Sequence, residues 1–465
     1  MLFSSIPFLY YFLPAVLILY FLVPQKFRNC LLLLASLFFY AWGEPIYALL
    51  MIGSIAAFYL FGLAIEAAKT KRDKRLWLIV AVVTGGLLLA VFKYADFALE
   101  SLNRLTGLSV PLLKLALPIG ISFYTFQCIS YAVDVYRGDA AAQRNIVSFG
   151  AYIAMFPQLI AGPIVRYVDV AHDLNQRKTD LTDFAEGLML FLLGLGKKVL
   201  IANPFGELTQ IFRSSQEPSV LFYWMYAVAF TLHIYFDFSG YSDMAIGLGR
   251  IFGFRFPQNF NYPYISGSIT EFWRRWHMSL SRWFRDYVYI PLGGNRVSTW
   301  RWVRNILTVW LLTGLWHGAA WNFVIWGLFF AVLLLMEKWI PMIQKLPALL
   351  RHSYVLLAVV VSFVIFNAES LQQAWQDLAG MFGVQNIPAV TSEAVYYLHS
   401  YGFLFVVGTV GATPLIRKLV IGIMNRGEKV LGTGLLWPAA AALLLMVCTA
   451  YLVDGSFNPF LYFRF

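Results

Sequence analysis

Long stretches without charge dominate the hydrophobic pattern of this chain. A membrane-spanning helix needs roughly 20 predominantly apolar residues. Six stretches without Asp, Glu, Lys or Arg approach or reach that length, and the pattern predicts a spanning helix at each. They are Ile6–Val23, Ile46–Ile65, Leu76–Phe92, Ser353–Ala368, Ser400–Ile416 and Leu431–Val453.

A seventh uncharged stretch, Ile306–Met336, is too long for a single span. Gly314 and Gly318 lie inside it, with Trp316 and His317 between them. Because glycine weakens a helix and membrane helices are interrupted at binding sites, we predict two helical segments that meet at a break here.

The middle of the chain is less regular than its ends. Proline and glycine interrupt the apolar runs between Pro118 and Pro163, and polar and aromatic residues alternate between Tyr241 and Asn305. Within that stretch, Glu271–Asp286 has strong helix formers and a basic amphipathic face, which predicts an interfacial or re-entrant helix. Irregular backbone survives at membrane depth only where protein or a water-filled cavity covers it, so the middle is expected to line a cavity.

Composition supports a membrane protein, since 60% of the residues are apolar and only 13% are charged. The net charge of +11 comes largely from basic residues between the spans. The positive-inside rule explains them without nucleic acid and places the loop at Lys69–Arg75 and the loop at Arg417–Lys429 in the cytoplasm. Both termini are then external, and the number of crossings is odd, about eleven.

No soluble module or internal repeat interrupts this pattern, so residues 1–465 are predicted to form a single membrane domain. Its parts are N-terminal spans in 1–100, a catalytic core in 110–340, and C-terminal spans with an external aromatic tail in 350–465. The first apolar run lacks a basic start and a cleavage pattern, which indicates a first span rather than a signal peptide. The spacing of Cys30, Cys128 and Cys448 fits no metal or redox motif.

Two histidines are candidates for acid-base chemistry. A neutral imidazole at His317 can take a proton from an attacking hydroxyl or thiol, the flanking glycines let a substrate approach, and Trp310, Trp316 and Trp321 would exclude water. The alternative is a core histidine bonded to a carbonyl. His277 would orient His317 or the acyl carbonyl, or would only pack an interfacial helix.

A further polar cluster contains His233, Asp237 and Asp243. His233 and Asp237 are four residues apart and share a helix face. No third His or Cys lies within reach along the chain, so a structural hydrogen-bond network is favoured over a metal site.

Two other segments allow a functional interpretation. The loop Pro291–Arg296 has Asn295 and Arg296 as weak candidates for contacting phosphates, although a basic cytoplasmic rim explains the same arginine. The chain ends in an aromatic tail with Tyr462, which is either an interfacial anchor or a side chain that reaches the external mouth of the cavity.

Several motifs together resemble the membrane-bound O-acyltransferase (MBOAT) superfamily, and within it the bacterial alginate O-acetyltransferase-like branch. They follow one another in consistent order over most of the chain. The matching stretches are Pro118–Gln127, Phe156–Ile164, Phe236–Ala245, Phe256–Tyr264, Phe272–Ser281 and Gly314–Ala319.

The resemblance implies an all-α polytopic membrane protein with re-entrant or interfacial helices around a central funnel and tunnel. It implies that His317 is the catalytic histidine and His277 the second histidine of the bacterial branch. It also implies acetyl-CoA as the donor substrate on the cytoplasmic face, with no permanently bound cofactor and no metal. The implied location is the bacterial inner membrane.

The resemblance further implies an external SGNH-type acetyltransferase partner that places the acetyl group on a polysaccharide. The ending Phe460–Phe465 resembles a tail that a small partner protein carries in the teichoic-acid D-alanylation system, with its Tyr as acyl acceptor. The hypothesis is therefore an acyl relay through His317, His277 and Tyr462. The alternatives are D-alanyl transfer to teichoic acid, peptidoglycan O-acetylation and, in a different class, a proton-coupled transporter.

Overall fold

The structure, a computed structural model, describes residues 1–419 and 436–455, and those residues form helices and connections without any strand. The chain packs as two compact units. Unit 1 contains Met1–Phe191 and Tyr241–Gln258, and unit 2 contains Leu192–Gly240 and the described residues from Asn259 onward. The prediction of a single domain with its three parts stays a prediction.

The apolar runs predicted to span the bilayer are mostly helical where the structure describes them, although the helix in Ser400–Ile416 ends at Gly411. Six of the described helices are long and apolar enough to cross a membrane, and two shorter apolar helices, Phe8–Leu22 and Pro438–Asp454, accompany them. This confirms the all-α polytopic membrane protein. The long helices are Pro45–Ala67, Lys71–Thr106, Val220–Ile251, Trp321–Trp339, Ala348–Asn367 and Ser392–Gly411. The number of eleven crossings and the central funnel stay predictions.

Unit 1 is built mainly from helices that precede residue 191. Tyr131, in Ile121–Arg137, lies against Gly62, where a Cβ atom would be 2.3 Å from the tyrosine hydroxyl. Small residues let membrane helices approach closely, so Gly62 sets the distance between Pro45–Ala67 and Ile121–Arg137. The helices are Leu13–Leu22, Arg28–Ala41, Pro45–Ala67, Lys71–Leu89, Ala95–Thr106, Ile121–Arg137, Ile146–Ala154, Phe156–Leu159 and Tyr167–Asn175.

Two helices, Leu181–Gly196 and Val220–Ile251, contribute residues to both units. The helices that belong to unit 2 alone include the segments that carry both candidate histidines. They are Asn203–Ser214, Ile269–Arg275, Met278–Phe284, Thr299–His317, Trp321–Trp339, Met342–Lys345, Ala348–Asn367, Leu371–Met381, Ser392–Gly411 and Leu436–Asp454.

The long uncharged stretch forms two helices that meet at a break, as the sequence predicts. Thr299–His317 ends at His317, and Trp321–Trp339 begins three residues after Gly318. The helices pack closely because Gly314 and Gly327 face backbone rather than side chains. A Cβ on either glycine would be 2.3 Å from a carbonyl oxygen, that of Phe323 or Trp310 respectively.

The prediction of one continuous helix over Glu271–Asp286 is wrong. The segment forms two short helices, Ile269–Arg275 and Met278–Phe284, and a π-helical turn at Arg285–Tyr289. The break falls at His277, whose φ of 42° and ψ of 54° are left-handed. Tertiary contacts override helix propensity here, because this conformation is unfavourable for a residue with a side chain.

Gly327→Ala should lower the stability of the protein by about 1–3 kcal/mol, because the added methyl group meets a backbone carbonyl that cannot move aside cheaply. Gly402→Ala is the matched control, since nothing lies within 4 Å of a Cβ atom at that helical position. Thermal unfolding of both variants in detergent would show a lower midpoint for Gly327→Ala alone. Equal midpoints would contradict the close packing of the two helices.

Candidate active site

His317 is the last residue of helix Thr299–His317, and only 6% of it is exposed. Gly318 follows in extended conformation, with φ of −164°. A Cβ atom on Gly318 would lie 2.1 Å from the ring of Phe323, so only glycine lets the chain leave the helix beneath that ring. The helix end and the glycine together fix the position of the imidazole.

Aromatic rings surround His317. Its ring centroid lies 4.9 Å from that of Trp316, 4.9 Å from that of Trp326 and 5.2 Å from that of Phe366. Each of these contacts is edge-to-face, the geometry that aromatic rings prefer. The imidazole therefore lies in an apolar, water-poor environment where electrostatic interactions are strong.

The water-excluding residues differ in part from those predicted. Trp316 contacts His317 as expected, but Trp321 is 47% exposed. Trp310 stands one layer further out, with its ring centroid 6.4 Å from that of Trp326. Trp326 and Phe366 were not singled out in the sequence. Phe366 comes from a different helix, and only the fold brings it here.

His277 is completely buried and forms the N-terminal boundary of helix Met278–Phe284. The preceding helix, Ile269–Arg275, begins at Ser268, whose hydroxyl accepts a hydrogen bond from the Glu271 amide at 3.0 Å. The buried carboxylate of Glu337 accepts hydrogen bonds from the amides of Ile269 and Thr270, at 2.5 and 3.1 Å. Negative charge is stabilising at a helix N-terminus, so Glu337 anchors the segment that leads to His277.

Asn259 holds the imidazole of His277. Its Oδ1 lies 3.1 Å from Nδ1 of His277 and accepts hydrogen bonds from the amide and hydroxyl of Ser279, at 3.3 and 2.9 Å. Two backbone hydrogen bonds flank this contact, from the Met278 amide to the Asn259 carbonyl and from the Asn261 amide to the Arg275 carbonyl, each 2.9 Å long. The loop at Asn259 is thereby fixed against the helix break.

The structure brings His277 and His317 to the same indole. The ring of Trp316 lies 5.7 Å from that of His277 and 4.9 Å from that of His317, centroid to centroid. Phe238 covers another side of His277, with ring centroids 4.7 Å apart. Burial lowers the pKa of His277 to about 3, because the apolar surroundings disfavour the charged imidazolium. His277 is therefore neutral near pH 7.

Asn259 and Ser279 take part in the contacts that hold His277, and neither residue was singled out from the sequence. The stretch Phe256–Tyr264 was apparent only as a matching motif. The sequence offered one signal for Asn259, which is that it is an asparagine among aromatic residues. A buried amide needs hydrogen-bond partners, so such an asparagine indicates a polar contact in the core. Which histidine it would contact depends on the fold.

His233 and Asp237 take part in polar contacts within unit 2. Nδ1 of His233 lies 2.6 Å from the carbonyl oxygen of Ala202, and Asp237 pairs with Lys198 Nζ at 2.6 Å. Lys198 and Ala202 belong to the π-helical segment Lys197–Ala202, whose irregular geometry changes the usual helical hydrogen bonding. Asp243 lies further along the same helix, in unit 1, and is half-buried.

These contacts are of the kind that a structural hydrogen-bond network contains. Among residues 1–419 and 436–455, no group of three or more His, Cys, Asp or Glu side chains could hold a metal ion.

Asn295 and Arg296 are exposed in a turn whose glycines, Gly293 and Gly294, have φ of 102° and 57°. The buried Asn305 amide supports this turn by donating to the Gly294 carbonyl at 3.0 Å. A phosphate-contacting role for the turn stays a prediction. Tyr462 lies outside the described residues.

Unit 1 contains a cavity of about 1030 Å³ without any of the predicted catalytic residues. The Arg177 guanidinium donates to Tyr20 and Asn29 and lies over the Phe254 ring. These contacts give Arg177 a structural role. The lining residues include Lys26, His172, Asp173, Arg177, Lys178, Asp183, Arg250 and Arg255.

Apolar spans, interrupted helices and two buried imidazoles in an aromatic chamber define an integral membrane protein with a candidate acid-base site. A model of the MBOAT family, described as membrane-bound O-acyltransferases, matches residues 137–373. Both histidines lie in this range. The chain belongs to this family and is an acyltransferase, so the transporter alternative is set aside.

The chain is similar to several bacterial proteins. It is 48% identical to the "Probable alginate O-acetylase" of Pseudomonas aeruginosa over 82% of this chain and 75% of that protein. It is 41% identical to the protein of the same description from Pseudomonas putida over the full length of both. It is 33% identical to the peptidoglycan O-acetyltransferase of Helicobacter pylori over 100% of this chain and 98% of that protein.

The buried pair of Lys198 and Asp237 generates a stability prediction. Lys198→Met should destabilise the protein by about 3–5 kcal/mol, because it leaves the carboxylate buried without its cation. Adding Asp237→Leu should restore most of the loss, since the double variant removes both charges.

Arg104→Met is the matched control, because Arg104 and Glu100 form an exposed pair at 2.8 Å whose loss costs about 0–1 kcal/mol. Thermal unfolding of the four proteins in detergent measures the difference. If Lys198→Met is as stable as Arg104→Met, the pair of Lys198 and Asp237 has no structural role.

Proposed function

We propose that the protein is an O-acetyltransferase that moves an acetyl group from cytoplasmic acetyl-CoA across the bacterial inner membrane. The acetyl group is destined for an exported or cell-wall polysaccharide. The observation that carries the proposal is the pair of buried imidazoles, His277 and His317, in contact with the same ring of Trp316. Family membership supports acyl transfer as the reaction class.

In the proposed reaction, His317 is the proton acceptor. A hydroxyl oxygen attacks the carbonyl carbon of the acetyl thioester while His317 accepts the hydroxyl proton. The new C–O bond forms, the C–S bond breaks, and the proton passes to the sulfur of the leaving CoA. Trp316, Trp326 and Phe366 keep water from the thioester, which limits hydrolysis.

The acceptor hydroxyl in this proposal belongs to Tyr462. The distribution of Lys and Arg places both termini outside the cytoplasm, where an acylated tyrosine is available to an external enzyme. An SGNH-type acetyltransferase then transfers the acetyl group to the polysaccharide. This scheme needs no permanently bound cofactor.

The names of the relatives support the choice of acceptor class. The more similar relatives are described as alginate O-acetylases, and a less similar one acts on peptidoglycan by its name. We therefore propose an alginate-like exported polysaccharide, with peptidoglycan as the second candidate.

Purified protein in nanodiscs should release CoA from radiolabelled acetyl-CoA and retain label. His317→Ala should lower turnover by about 10²–10⁴-fold, because it removes the proton acceptor. His399→Ala is the control, since His399 is exposed on helix Ser392–Gly411 and should behave as wild type. Equal turnover in both variants would reject His317 as the base.

Tyr462→Phe tests the carrier, with Tyr451→Phe as its control on the last described helix. Loss of retained label in Tyr462→Phe alone supports the acyl-tyrosine relay. If both Tyr462→Phe and Tyr451→Phe retain the label, the acceptor hydroxyl belongs to another residue. If wild type does not turn over acetyl-CoA, even with an external partner, the acetyl-CoA proposal fails, and a D-alanyl carrier protein is the donor to test next.

A further inference from the structure

We propose that Asn259 is a positioning residue that fixes His277 as a hydrogen-bond acceptor at Nε2. The inference rests on the proposed function and decides between two roles that the sequence leaves open for His277. In one role His277 orients the catalytic His317, and in the other it donates a hydrogen bond to the acyl carbonyl.

The first step is the orientation of the Asn259 amide. The oxygen and nitrogen of a side-chain amide are distinguished by their hydrogen-bond partners. The atom that faces His277 also lies 3.3 Å from the backbone amide of Ser279, which can only donate. That atom must therefore be the oxygen, Oδ1, because a rotated amide would place its NH₂ group against the N–H of Ser279.

The second step is the tautomer of His277. Since Oδ1 of Asn259 only accepts, Nδ1 of His277 at 3.1 Å must carry the hydrogen. A neutral imidazole has a single N–H group, so Nε2 then holds a lone pair. Nε2 is buried and has no hydrogen-bond partner among the residues that the structure describes. An unmet acceptor in apolar surroundings is unfavourable, which marks a place for an incoming donor.

The third step is the charge of the ring. Among the described residues, the hydrogen-bond partner of the His277 ring is the Asn259 amide, and its ring partners are Phe238, Phe260 and Trp316, none of which is charged. Asp237, which precedes Phe238, is paired with Lys198 at 2.6 Å. None of these described partners favours the imidazolium, so the neutral Nδ1–H tautomer is the working form.

The consequence concerns the division of work between the histidines. Nε2 of His277 has no hydrogen to donate to a thioester carbonyl, so His277 does not stabilise the developing oxyanion. It can accept a hydrogen bond from an N–H group of His317 or from the attacking hydroxyl. A bond from His317 would leave the lone pair of His317 on its other ring nitrogen, where it serves as the base.

Two substitutions separate this role from simple packing. Asn259→Asp keeps an oxygen at the same place but adds negative charge next to Nδ1–H, which raises the pKa of His277. Asn259→Leu removes the acceptor and releases the tautomer. Asn175→Asp is the matched control, because Asn175 is exposed and its amide only donates to the Ala171 carbonyl at 3.1 Å.

The first readout is the pH dependence of acetyl-CoA turnover in nanodiscs. Turnover needs neutral His277, so a raised pKa removes activity as the pH falls. Burial holds the pKa of His277 at about 3, and we expect the added carboxylate to raise it by about 1–3 units. The turnover of Asn259→Asp relative to the wild type at the same pH should therefore fall as the pH drops below about 6 and recover at higher pH. Asn259→Leu should lose turnover at every pH, and Asn175→Asp should follow the wild type.

The second readout does not require activity. ¹⁵N-labelled histidine in wild type and in His277→Gln identifies the His277 signals by difference. We expect a protonated Nδ1 and an unprotonated Nε2 in wild type, and a changed ratio in Asn259→Leu. Thermal unfolding of each variant confirms that it is folded.

A protonated Nε2 in neutral wild-type His277 would overturn the inference. So would a turnover of folded Asn259→Asp that stays constant relative to an active wild type as the pH falls below about 6. If the wild type shows no acetyl-CoA turnover, the proposed function fails while the nitrogen signals still decide the tautomer, so the two failures are distinguishable.

Discussion

The hydrogen bonds that converge on Asn259 Oδ1 are the interaction on which the candidate site depends. Inside a membrane protein, water is too scarce to satisfy polar groups, so the chain must supply a partner for each of them. Asn259 accepts from Ser279 and contacts Nδ1 of His277. One buried amide thereby sets the ring orientation and holds the chain at the break between two helices. The imidazole is positioned before any substrate arrives.

Both candidate histidines lie where a helix is interrupted. His277 has a left-handed backbone before Met278–Phe284, and His317 ends Thr299–His317 before the extended Gly318. The left-handed conformation of His277 is unfavourable by about 1–3 kcal/mol and persists only when its surroundings enforce it. The Glu337 carboxylate at the start of Ile269–Arg275 and the contacts of Asn259 provide that enforcement. Rigid placement of this kind suits acyl transfer, because the reacting groups must meet in a narrow range of geometries.

Several buried polar and charged groups of unit 2 have partners of their own. Lys198 neutralises Asp237, and His233 is close to the carbonyl of Ala202. Two carboxylates bind backbone or cation partners instead of facing the aromatic chamber, Glu337 at a helix start and Asp377 with Arg213 at 2.6 Å. The apolar surroundings of His277 then keep it neutral, so that one of its ring nitrogens holds a lone pair.

The sequence by itself determined the membrane class, several of the apolar helices, the break after His317 and the family. Each of these follows from local patterns: runs without charge, glycines next to the histidine, and motifs in consistent order. It also pointed to His317 and His277 as the candidate pair, although their roles stay predictions. Only the tertiary structure decided that Glu271–Asp286 breaks at His277, that Trp326 and Phe366 enclose His317, and that Asn259 holds His277. These features depend on contacts between residues far apart in the chain, which outweigh local helix propensity and leave no periodic signal in the sequence.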